Sequence, residues 1–79
     1  MNWRDHIVSD PAILVGKPTI KGTRISVELL LDRLADGWSI EDLLESYPHI
    51  THDDIHAALA FVSEIFKEES FVAMDWARL

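Results

Sequence analysis

Apolar positions along this chain follow two different rhythms. From Val27 onward they recur every three or four residues, the spacing of one helix face; before it they come in short runs broken by Gly and Pro. In the first periodic stretch Val27, Leu30, Leu31 and Leu34 share a face, while Leu29 lies off it. Ser26 is a good N-cap there, Glu28 suits the first turn, and Gly37 is placed to end the helix. Ile40, Leu43, Leu44 and Tyr47 form the second stripe, opened by Ser39 with Asp42 three residues on and stopped by Pro48. Thr51 with Asp54 opens the third, in which Ile55, Ala58, Leu59, Val62, Ile65 and Phe66 make a broad stripe flanked by Phe61. The expected helices therefore span about 27–36, 40–46 and 52–68, the last being the spine of the core.

The front of the chain reads differently. Ile13-Leu14-Val15 is a short apolar run that meets Gly16-Lys17-Pro18, where Pro18 biases Lys17 to extended geometry. Lys21-Gly22 sits where a two-residue turn would go. This predicts a hairpin within 13–25, with Thr19-Ile20 pairing against Thr23-Arg24. The fold class is thus mainly α: a short N-terminal β-hairpin followed by a three-helix, helix-turn-helix-like array.

Composition narrows the functional classes. The 79 residues make one domain, 48% apolar, with no cysteine for a disulfide or a thiolate metal site. A chain this small is marginally stable, so a homodimer or hetero-oligomer is expected. The polar start from Met1 to His6 lacks a signal peptide's apolar run, and no run approaches a membrane span; a cytoplasmic protein without membrane contact is expected. The formal charge of −7 weighs against unaided DNA binding, which draws on Lys and Arg neutralising phosphates.

Candidate catalytic groups are weak. His52 and His56 stand four residues apart, with His49 just upstream, and such a pair could share a metal. Asp53 and Asp54 stand between them, however, in place of the H-E-x-x-H glutamate, so solvent-facing histidines are the simpler reading. The pairs Glu41-Asp42 and Asp53-Asp54 suit helix N-termini, and Glu68-Glu69 suits a solvated face. No nucleophile elbow or phosphate loop is present, so no enzymatic activity, metal or cofactor is expected. The basic residues are more informative: Lys17, Lys21 and Arg24 cluster on the hairpin and Arg33 lies on the first helix. They read either as a charge-protected hairpin edge or, with Thr23, as a contact for phosphate or an acidic partner. The stretch from Ser70 to Leu79 is apolar, with Phe71, Val72, Met74 and Trp76. It reads either as a last turn of helix on the core or as an adhesive segment for a partner.

The run from Gly16 to Ile25 (GKPTIKGTRI), then Gly37-Trp38-Ser39, Tyr47-Pro48 and Thr51 to Leu59, resembles domain-of-unknown-function family 433, over about residues 8–62. Val15 departs from the pattern, which implies a small residue such as Gly there. The resemblance implies a winged-helix or homeodomain-like fold. It also implies a VapB-type antitoxin role: neutralising a PIN-like ribonuclease toxin encoded next door, and repressing its own operon at operator DNA. A stand-alone repressor and a structural or assembly module are the alternatives.

Overall fold

A computed structural model of the chain describes residues 2–68. A 3-10 turn at Trp3–Asp5 leads into strand β1 (Ile7–Val8); a second, Leu14–Gly16, precedes strand β2 (Thr19–Ile20). Helices α1 (Val27–Ala35), α2 (Ile40–Ser46) and α3 (His52–Glu68) follow. The fold is mainly helical, with a short antiparallel hairpin ahead of three helices.

Each helix starts where its first amides are satisfied, and α1 also ends on a closed turn. The Ser26 hydroxyl accepts the Leu29 amide at 2.9 Å and opens α1. At the other end Gly37, with φ +96°, donates its amide to Leu34, and the Trp38 amide reaches back to the Arg33 carbonyl. That is a Schellman closure, and glycine enters its left-handed position without steric cost. Full reciprocal capping boxes open the other two helices: Ser39 with Asp42, and Thr51 with Asp54.

The hydrogen bond that the Asp42 carboxylate accepts from the Ser39 backbone amide, aided by the Ser39 side chain, holds its carboxyl below the usual carboxylate range. A carboxyl whose pKa is depressed by folding stabilises the fold above its unfolded-state pKa, and that contribution fades as pH falls through the folded one. Asp42→Ala should therefore lower the melting temperature at neutral pH. The gap to wild type should close as the pH is taken down through the carboxylate range, and a gap that persists in acid would contradict this account.

The hairpin differs in detail from the sequence expectation. β1 comes from upstream of the predicted hairpin, pairing Ile7 with Ile20 and Val8 with Thr19. Lys21 and Gly22 do occupy the centre of a turn, closed by the Thr23 amide on the Ile20 carbonyl at 3.0 Å. The returning chain pairs later than predicted: Ile25 meets Ile20, and Thr19 faces Ser26. Thr23 and Arg24 stay in the loop because the Thr23 hydroxyl is used there, donating to the Ile20 carbonyl and accepting the Ile25 amide. A side chain bound to its own turn competes with strand pairing.

The loop between the strands holds an unusual backbone. Leu14, Val15 and Gly16 have φ of +49°, +56° and +79°, a left-handed turn. Glycine tolerates this region; a β-branched residue does not. Val15 is also 92% exposed, so its side chain adds little packing. The sequence expectation of a small residue at this position matches that conformation. Val15→Gly should raise stability by about 1 kcal/mol, the relieved strain outweighing the added freedom of the unfolded chain. A lower urea midpoint for the variant would show that the left-handed turn does not persist in solution.

The core is one cluster: Ile7, Ile20, Val27, Leu30, Leu43, Ile50, Ile55, Ala57 and Ala58. Of the expected α1 face, Val27 and Leu30 are buried, with Leu31 and Leu34 packed partly against the cluster. The α3 stripe is narrower and rotated. Ile55, Ala57 and Ala58 are buried, but Leu59 is 41% exposed. Phe61, expected to flank the stripe, packs on the core because Trp3 lies edge-on against it, with ring centroids 4.8 Å apart. The N-terminal turn supplies an apolar partner that periodicity within α3 could not anticipate.

Candidate functional site

The residues singled out as a basic set have different surroundings. Lys17 follows the left-handed turn and pairs with Glu28 of α1 at 3.2 Å, both side chains exposed. Lys21 and Arg24 are exposed on the turn after β2. Thr23 is engaged by the backbone hydrogen bonds already described. Arg33 lies in the last turn of α1 and stacks over Trp38, 5.2 Å from the ring centroid. Lys17 and Arg24 do meet at a shallow depression, lined also by Leu14, Val15 and Leu29, with Glu28 and Asp32 beside them. Leu29, the residue off the apolar face of α1, is therefore part of a mixed surface. Two cations there are accompanied by two carboxylates, which reduces the local positive potential.

A second groove runs between α1 and α3, with Val27, Leu31, Phe61 and Val62 among its lining. Lys17, Pro18, Glu28 and Asp32 complete the lining, and Lys17 pairs with Glu28 there. Ile65, one turn further along α3, is 40% exposed. The expected partner-binding residues Phe71, Val72, Met74 and Trp76 lie outside the described residues.

Two polar ties escaped the sequence reading, and both join the N-terminus to α3. The Trp3 indole N–H donates to the Glu64 carboxylate, while Arg4 stacks over Trp3 and approaches Glu64 at 3.6 Å. His6 Nδ1 lies 2.8 Å from Asp54 Oδ1, so the carboxylate that caps α3 also holds the start of β1. Single residues 61 and 48 positions apart carry no sequence periodicity, so neither pair was legible beforehand. The His52 and His56 rings stand 6.4 Å apart, both exposed. Among the described residues no three histidines and carboxylates converge as a metal site would require.

A model of the family described as "Protein of unknown function (DUF433)" matches residues 7–62, well over half the chain. The chain belongs to the DUF433 family. A DUF433 member from Anabaena variabilis, solved by crystallography at 2.00 Å, superposes with a TM-score of 0.76 at 28% identity. That likeness covers 82% of this chain and 64% of the other. The uncharacterized protein y4eO of Sinorhizobium fredii is 36% identical over 55 residues, which is 70% of this chain and 25% of that protein. The chain thus spans about a quarter of y4eO and just under two thirds of the Anabaena chain. Within the DUF433 match lie the hairpin, α1, α2 and most of α3, so the family pattern covers the folded core. No helix among the described residues is long and apolar enough to cross a membrane.

Proposed function

We propose that this DUF433 protein is an antitoxin-like binding protein that neutralises a PIN-like ribonuclease. The observation that carries the reading is the charge arrangement. A formal charge of −7 accompanies a basic set in which Lys17 is ion-paired and Arg33 is stacked at the far end of α1. Such a surface suits a basic protein better than a phosphate backbone. A nuclease that holds RNA carries positive potential, and opposite charge speeds association. The contact assigned to the toxin is the apolar stretch with Phe71, Val72, Met74 and Trp76. The fold alone is silent on activity.

Co-expression tests it. The adjacent reading frame should encode a PIN-like protein that arrests growth when expressed alone. This chain should restore growth, and Trp76→Ala with Phe71→Ala should weaken the rescue. Arrest that persists in the presence of the wild-type chain would sink the proposal.

One observation favours operator binding as a second activity: Lys21 and Arg24 are exposed, and neither makes an ion pair among the described residues. If they contact phosphates, Lys21→Ala and Arg24→Ala should each weaken binding to the promoter on all sequences. Each should also reduce the salt-dependence slope by about 1. No mobility shift at low salt, with or without the toxin, would remove this reading.

A further inference from the structure

We propose that His52 and His56 form a two-imidazole chelate for a divalent late transition metal, on the exposed face of the first two turns of α3. The two residues stand four apart, so successive turns of the helix carry them on one face, one above the other. Their rings lie near each other, with centroids 6.4 Å apart and planes tilted by 48°. Two imidazoles on one tetrahedral ion, each bound at about 2.0–2.1 Å, place their centroids about 5 Å apart. From 6.4 Å the rings need to close by only about 1 Å. Side-chain rotation supplies that, and exposed rings are free to make it.

The backbone beneath the pair is fixed on both sides. The Thr51–Asp54 capping box closes the first turn, and Ile55, between the two histidines, is fully buried. The ring nitrogens are also unclaimed. Neither His52 nor His56 makes a hydrogen bond or ion pair among the described residues, whereas His6 is held by Asp54. Neutral imidazole is a donor that suits zinc, copper and nickel. Local charge favours a cation as well: exposed Asp53 lies between the two in a chain of formal charge −7, which offsets the positive end of the helix dipole.

A closed structural site takes three or four side chains, and no such group converges among the described residues. The pair is therefore an open chelate, with water at the remaining positions. A bound ion links the first turn of α3 to the second and opposes fraying of that end. Neither the antitoxin reading nor operator binding is needed for it.

Calorimetric titration of the full chain with zinc chloride tests the assignment. A single Zn²⁺ should bind per chain. His52→Ala and His56→Ala should each weaken binding at least about tenfold, because the second imidazole adds at high effective concentration once the first has bound. His49→Ala should leave the affinity unchanged. Both key substitutions put a better helix former at an exposed position, so the variants stay folded, which circular dichroism confirms. Zn²⁺ should also raise the melting temperature of the wild type but not of the His52→Ala, His56→Ala double variant, since only the folded helix brings the pair together. Mg²⁺, a hard ion that prefers oxygen ligands, should produce neither effect. Zinc affinity that survives either substitution would overturn the proposal, as would the absence of binding by the wild-type chain. Mg²⁺ binding as tight as that of Zn²⁺ would overturn it too, assigning the ion to the acidic surface instead.

Discussion

Ile55→Ala is expected to cost about 3–4 kcal/mol and to leave much of the protein unfolded at modest urea concentration. Ile55 is fully buried in the first turn of α3, in the one cluster that joins the hairpin to all three helices. Removing its outer carbons loses their transfer free energy and leaves a cavity that the neighbours fill only in part. A domain of this size has only about 5–10 kcal/mol in total, so the loss is a large share of it. At ~4–8 °C per kcal/mol, the melting temperature should fall by more than ~10 °C. Leu59→Ala is the counterpart. Leu59 belongs to the same apolar stripe by sequence spacing but is 41% exposed, and its truncation should cost less than about 1 kcal/mol. Comparable losses for the two variants would mean that α3 is rotated from the orientation described here.

Asp54→Ala should have the second-largest effect on stability, about 2 kcal/mol. One carboxylate serves two elements. Its Oδ2 accepts the Thr51 amide at 3.0 Å, and its Oδ1 meets His6 at 2.8 Å. Each hydrogen bond contributes about 1 kcal/mol net, and both are lost together. Asp54→Asn should retain roughly half of the stabilisation, because an amide has one acceptor oxygen where the carboxylate has two. A double-mutant cycle with His6→Ala isolates the tie between β1 and α3, with an expected coupling of about 1 kcal/mol by urea denaturation. A coupling of zero would show that the pair is not maintained in solution.

The contrast between Ile55 and Leu59 also marks how far the sequence could be read. Helix ends were legible because they are local. Ser26, Ser39 and Thr51 cap the amides three residues on, and Gly37 takes the left-handed closure, all within a few residues of chain. Which part of a helical stripe is buried was less legible, because it depends on what arrives from elsewhere. Phe61 packs inward because Trp3 covers it, while Leu59 receives no comparable cover.

The candidate site divides the same way. The sequence placed Lys17, Lys21 and Arg24 close together along the chain, and nearness along the chain suggested a patch. The structure commits Lys17 to Glu28 and uses Thr23 to hold the turn, so two exposed cations remain on that turn. The α1–α3 groove was not foreseen, because its walls are contributed by residues about thirty positions apart.

By itself the sequence determined the helical class, the capped starts of α1, α2 and α3, the turn at Lys21-Gly22 and the acidic character. These follow from spacing, capping chemistry and charge, which act over a few residues or need no geometry at all. Tertiary structure alone decided that β1 is Ile7–Val8, that His6 and Trp3 bind α3, and that an apolar groove opens between α1 and α3. Those contacts close loops of ten to sixty residues, and their free energy depends on the simultaneous placement of elements that no local pattern records.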